Sequence, residues 1–239
     1  MALVRGAGSG HLSGQPFKAL IFDLDGVLVD TEIWWDEVRH DFAARRGRSW
    51  TADDRAAVMG HNSHGWSIVM RDRLGLDEPI ESIEHEVVDA MVARFATEPS
   101  PAIPGAVAAV EVLGERYPLG LASSAHPAVI EAALRTIGLT ESFRAVAASD
   151  EVAHGKPSPD VYLLAASRLE TEPAECLVVE DSLNGVLAAR AAGMTVVLVP
   201  NDSVPPAPGA IEAADAVRTS IAAIDPAAIA RSVRGSIAG

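Results

Sequence analysis

The sequence predicts an α/β fold: a doubly wound, Rossmann-like parallel sheet core with an inserted all-helical module. Short continuous apolar runs recur at 19–22, 119–122, 145–148, 177–179 and 196–199, and unbroken apolar strands belong to sheets covered on both faces. Helical patterns alternate with the last four runs, as parallel crossovers require. The stretch between the first and second runs holds no strand pattern and is too long for one crossover helix.

In chain order, residues 1–17 are Gly/Ser-rich without a sustained apolar region, which reads as a flexible leader rather than a signal peptide. Residues 19–22 form the first strand. Helical spacing follows at Trp34, Val38 and Phe42, and again at Ile83, Val87 and Met91. Pro99, Pro101, Pro104 and Gly105 mark the way back to the core. The helix that opens near Pro127 has an apolar face of Val129, Ile130, Ala133, Leu134 and Ile137, and Gly138 closes it. Another spans about 182–192 and stops at Gly193. The Pro/Ala-rich segment after Pro200 holds a last short strand near 216–217. The expected division is a core of 18–32 and 98–239 around a helical insertion of 33–97.

Composition narrows the function. With 239 residues, 49% of them hydrophobic, the chain can bury one large core with a smaller companion. A net charge of -14 argues against nonspecific binding to nucleic acid or anionic lipid. An anionic ligand would therefore need a local site. The one cysteine, Cys176, lies in an apolar run and reads as a buried small hydrophobe. No apolar run approaches the roughly 18 residues of a membrane span. The expectation is a cytoplasmic monomer.

Ligands of open parallel sheets sit beyond the carboxyl ends of the strands. There this chain places Asp23 and Asp25 after the first strand, Ser123 and Ser124 after the second, Lys156 in the loop after the third, and Glu180 and Asp181 after the fourth. Carboxylates gathered this way repel one another unless a cation sits among them, and an all-oxygen set suits Mg²⁺. Lys156 stands out by composition, since 17 of the 19 Lys and Arg residues are arginine. A lysine kept there suggests a need for a compact charge rather than a planar fork.

Four ordered segments now carry a resemblance: Asp23-Leu24-Asp25-Gly26-Val27-Leu28-Val29-Asp30-Thr31-Glu32, Leu121-Ala122-Ser123-Ser124, Gly155-Lys156-Pro157-Ser158-Pro159-Asp160-Val161-Tyr162 and Val179-Glu180-Asp181-Ser182-Leu183-Asn184-Gly185. Together they resemble the haloacid dehalogenase superfamily, in particular its phosphatases and phosphoglucomutase-like members with a helical cap after the first strand. The resemblance implies that Asp23 attacks phosphorus to give an aspartyl-phosphate. Asp25 would protonate the leaving alcohol and then activate water. It implies Mg²⁺ held by Asp23, the backbone carbonyl of Asp25, Glu180 and Asp181, with Ser123, Ser124 and Lys156 on the phosphoryl group. The substrate would be a small phosphorylated metabolite, most simply a sugar phosphate.

Two other functions stay open. A β-phosphoglucomutase-type isomerase shares all four segments, although that branch commonly has His where this chain has Trp35. A non-catalytic phosphate-binding regulatory module would use similar groups, but it has no need of Asp25 or of a long cap. A dehalogenase usually lacks the second acid, a phosphonate hydrolase needs a cap lysine that is absent here, and a transport ATPase needs membrane spans.

Other residues have plainer readings. Asp30 and Thr31 suit the cap of the first inserted helix, and the resemblance also implies that they stand at the hinge between core and cap. Trp34, Trp35, Trp50 and Trp66 suit the core of the insertion, with Trp35 or Trp66 open to stacking on a sugar. The acidic stretch from Asp77 to Glu86 reads as a solvated helix face. His61, Asn62 and His64 read as a polar loop or helix start that could face substrate, and His154 as a loop residue.

Overall fold

The structure is a computed structural model, and it describes residues 15–237. The expected leader lies outside the described residues up to position 14. Phe17, at its end, is buried in the core.

Six parallel strands form one sheet in the order β3-β2-β1-β4-β5-β6. They are β1 (Ala19–Phe22), β2 (Leu119–Ser123), β3 (Ala145–Ala148), β4 (Cys176–Glu180), β5 (Thr195–Leu198) and β6 (Ala216–Val217). Strand order reverses beside β1, where the crevice of a doubly wound sheet opens.

Four helices follow β1: α1 (Glu32–Arg45), α2 (Ala52–Val58), α3 (Ser63–Leu74) and α4 (Ile80–Thr97). Then α5 (Ala106–Gly114) leads into β2, α6 (Pro127–Thr136) into β3, α7 (Asp160–Arg168) into β4 and α8 (Leu183–Ala191) into β5. A short α9 (Ala210–Ala213) precedes β6, and α10 (Pro226–Ile237) closes the described chain.

Alternation along the strands divides the core. Leu20, Phe22, Leu119, Leu121, Leu177 and Val179 point to one face, which is continuous with the apolar interior of α1, α3 and α4. Ala19, Ile21, Ala145, Val178 and Val196 point to the other face, covered by α7 and α8. Successive residues of a strand point to opposite sides, so continuous apolar runs fill both layers. Cys176 belongs to the second layer and is fully buried, and burial pushes its thiol up to about 12.

The chain leaves and re-enters the core through paired segments, with Asp30 N–H donating to Pro101 at 2.8 Å and Ile103 N–H donating to Leu28 at 2.9 Å. The helices between them also pack against one another. Trp34 packs edge-on against Phe95 with centroids 5.2 Å apart, and Trp50 donates to Asp36 at 3.1 Å. Arg46 stacks on Phe42 and grips both Glu78 and Glu86 at 2.6 Å. Glu78 and Glu86 are therefore not merely a solvated face: they tie α4 and the turn before it to the end of α1. The insertion also touches the core, since Ser63 N–H donates to Asp150 at 2.9 Å and Thr136 donates to the Phe95 carbonyl at 3.1 Å.

Candidate active site

Register puts the acids together. Phe22 pairs with Leu121 on one side and Val179 on the other. Asp23, Ser123 and Glu180 therefore emerge at the same end of adjacent strands. Lys156 reaches in from the loop before α7 and donates to Asp23 Oδ1 at 2.7 Å, Glu180 Oε1 at 2.7 Å and the Ala122 carbonyl at 3.2 Å. Its three donors are thus used at 6% exposure.

Glu180 is fully buried, and every lone pair has a reason. Oε1 accepts from Lys156 and from the Tyr162 hydroxyl at 2.8 Å. Oε2 accepts from the backbone N–H of Asp181 and Ser182 and from the Ser182 hydroxyl at 2.9–3.0 Å. Burial works against its charge, but Lys156 overcomes it and holds the carboxyl below its ordinary range. Gly185 passes so close that a Cβ would overlap the Glu180 carboxylate.

Asp23 differs. Burial pushes it up to about 7, with Lys156 opposing and Glu180 and Asp25 adding to the rise. Asp181 is raised well above its usual range by burial, Glu180 and Asp23. Its carboxylate has no hydrogen-bond partner among the described residues and faces the cavity. Space for it depends on Gly26, whose φ is +82° and whose Cβ would overlap that carboxylate.

These acids are short of positive charge. Oxygen atoms of Asp23, Glu180 and Asp181 lie within 4.8 Å of one another, with Lys156 as the only cation in contact with them among the described residues. An unpartnered carboxylate beside two others, in an all-oxygen donor set, fits a hard divalent cation.

Asp25 is held from the insertion side. Its Oδ1 accepts from the Thr31 hydroxyl and from Trp35 Nε1 at 3.3 Å. Burial raises its pKa, and these two hydrogen bonds oppose the rise. Thr31 does stand at the N-terminal cap of α1 but makes no side-chain cap bond there. Its hydroxyl serves Asp25 instead, which corrects the simple capping expectation. Asp30 accepts from the Ser203 hydroxyl, so it ties the hinge to the loop after β5.

Ser123 is buried, and its Oγ accepts from Ala125 N–H at 3.0 Å, leaving the hydroxyl hydrogen for a ligand. Ser124 lines the same cavity with Lys156. The cavity measures about 400 Å³, and its wall continues through Glu32, Trp35, Arg39, Trp66 and His61 to Val204–Ala207. Among the expected residues the structure brings Asp23, Asp25, Ser123, Ser124, Lys156, Glu180 and Asp181 to this one place. Asn62 instead caps α3 through Gly65 N–H at 2.9 Å, and His64 is not part of the wall. His154 is an exposed loop residue beside Asp160.

Sequence reasoning gave no role here to Tyr162, Glu32 or Arg39. Tyr162 was visible six residues after Lys156, in the first turn of α7, but no sequence feature ties it to Glu180. Only the approach of α1 to the strand ends brings Glu32 and Arg39 in.

A family model described as haloacid dehalogenase-like hydrolase matches residues 17–193. The Bacillus subtilis (strain 168) protein YhcW is 39% identical over 191 residues, covering 77% of this chain and 84% of that one. Hexitol phosphatase B of Escherichia coli (strain K12) is 33% identical over 192 residues, 76% of this chain and 83% of its own. Fructose-1-phosphate phosphatase YqaB of the same organism is 32% identical over 193 residues, 77% and 96%. Among solved structures, CbbY from Rhodobacter sphaeroides, in complex with phosphate, superposes with a TM-score of 0.74 at 27% identity, covering 87% of this chain and 96% of that chain. β-Phosphoglucomutase from Clostridium difficile reaches a TM-score of 0.78 at 22% identity, covering 93% and 100%, which speaks for the fold alone.

Proposed function

This chain belongs to the haloacid dehalogenase-like hydrolases and is a phosphoric monoester hydrolase; we propose that it is Mg²⁺-dependent, acts on a small sugar phosphate and proceeds through an aspartyl-phosphate. The observation that carries this reading is the Lys156 bridge between Asp23 and Glu180, with an unpartnered Asp181 beside it at the carboxyl end of the sheet.

Asp23 is the nucleophile. Lys156 fixes its Oδ1, while Oδ2 has no hydrogen-bond partner among the described residues and is free to attack phosphorus. A carboxylate needs no base to do so. The O–P bond to the substrate alcohol breaks as the Asp23–P bond forms, and Asp25 gives the alcohol its proton. Asp25, now charged and held by Thr31 and Trp35, takes a proton from water as that water attacks the phosphoryl group and frees Asp23. Ser123 holds a phosphoryl oxygen through its free hydroxyl hydrogen, and Lys156, its donors engaged by Asp23, Glu180 and Ala122, adds positive charge beside the phosphoryl group. Asp23, Asp181 and the Asp25 carbonyl would hold Mg²⁺, with Glu180, whose oxygens are taken by hydrogen bonds, adding its charge beside them, and Mg²⁺ when bound offsets the charge of the acids and of the phosphoryl group. The sugar preference rests on the relatives named for hexitol and fructose 1-phosphate, together with a wall of mixed aromatic and polar groups.

The test is phosphate release from a panel of sugar phosphates and other monoesters, with Mg²⁺ and with EDTA. Release with Mg²⁺ that stops in EDTA and returns on repletion is expected. β-Glucose 1-phosphate primed with glucose 1,6-bisphosphate belongs in the panel, since glucose 6-phosphate formed without free phosphate would establish a mutase instead. Phosphate release that persists unchanged in EDTA would overturn the metal assignment.

A further inference from the structure

Helix α1 turns one stripe toward the cavity. Glu32, Trp35 and Arg39, spaced three and then four residues apart, all line it. Arg39 is the unusual member. It is 7% exposed, its guanidinium carbon lies 4.8 Å from the Trp35 ring and 5.5 Å from the Trp66 ring, and it makes no ion pair within the described residues. Its Nε is buried without a partner. A planar cation held by aromatic faces keeps its fork in one orientation with its donors unspent.

The charge of Arg39 is another matter. Burial opposes it, and Glu32, Asp36 and Asp25 support it electrostatically without accepting a hydrogen bond from it. Glu32 likewise has no hydrogen-bond partner among the described residues. The wall thus offers free donors and free acceptors in a field already balanced by nearby acids. A second anion on the substrate would gain Arg39 but face Glu32 and Asp25 in the same wall. A neutral polyol would use both, since each hydroxyl donates and accepts, and its carbon chain could lie on Trp35 and Trp66.

We propose that Arg39, resting against both Trp35 and Trp66 and opposed by Glu32, is a specificity-determining residue that reads the hydroxyls of the substrate and favours neutral polyhydroxylated monophosphates over bisphosphates. The inference rests on the phosphatase reading above. It adds a residue and a direction of selectivity.

The test compares kcat/KM for sorbitol 6-phosphate, hexyl phosphate and a hexitol 1,6-bisphosphate. The first two share a primary alkyl leaving group and six carbons, so their ratio isolates the hydroxyls. In the wild type sorbitol 6-phosphate should exceed hexyl phosphate by about 10⁴-fold, the scale of discrimination by a site built to hydrogen-bond its substrate, and should exceed the bisphosphate. Arg39→Met should reduce the sorbitol-to-hexyl ratio by about tenfold or more. Arg39→Gln, which keeps donors without charge, should retain part of the ratio and guards against misfolding of the methionine variant. An equal fall on both monophosphates, or a ratio that stays put in both variants, would overturn the proposal by making Arg39 structural. A wild-type preference for the bisphosphate would overturn it by making Arg39 an anion site. No phosphate release from any of the three by the wild type would fell the hydrolase reading, and this inference with it.

Discussion

Trp35 holds two positions at once. Its indole N–H supports Asp25, and its ring supports Arg39. Trp35→Phe should keep the ring and lose the hydrogen bond, so kcat for alkyl phosphates should fall about tenfold, part of what general acid–base catalysis contributes. p-Nitrophenyl phosphate, whose leaving group needs no proton, should lose less, and steady-state kinetics on the two substrates reads the difference. Equal losses would make Trp35 a packing residue only. Asp23, Asp25 and Lys156 were legible in the sequence because strand ends and a scarcity of lysine point at them. The service of Thr31 and Trp35 to Asp25 was not. Local rules assign Thr31 to helix capping and Trp35 to a core, and only the meeting of α1 with the end of β1 reassigns them. Tyr162 shows the same gap: it completes the donors around Glu180 from α7, which is adjacent in space and not in sequence.

Among the elements, the strands and the helices of the core were readable because the sheet is buried on both faces and its strands are unbroken apolar runs. The insertion was readable as helices, though not in how they hold together. There Arg46, at the end of α1, binds Glu78 and Glu86, and the hydrogen bonds from Arg46 hold Glu86 down at about 2 against an ordinary 4.5. A carboxyl lowered by folding stabilises the fold above its unfolded value, and that stabilisation is lost as pH falls through the folded value. Thermal melts should therefore show stability falling between about pH 4.5 and 2. Arg46→Gln should melt lower at neutral pH and lose part of that slope. A variant with the full acid slope of the wild type would show that the Arg46 pairs carry no linkage. The acidic stretch had suggested mere solvation because its partner lies on a different helix.

For the molecule as a whole, the sheet brings acids and one lysine to a rim, and the inserted helices close a cavity above them. Among the described residues no helix is long and apolar enough to cross a membrane. The charge of -14 leaves attraction of a phosphate to local groups, which is where Lys156 and an acidic cluster able to take a metal ion belong. The claim that organises all of this is that Asp23 carries the phosphoryl group between substrate and water. The most direct measurement uses Asp25→Asn with p-nitrophenyl phosphate and Mg²⁺, acid-quenched and mapped by mass spectrometry. The first step needs no proton donor with this substrate, while the second lacks its base, so one phosphoryl group should accumulate on Asp23 with a matching burst of p-nitrophenol. A burst with no label on the peptide containing Asp23, or with label on another residue, would contradict the account.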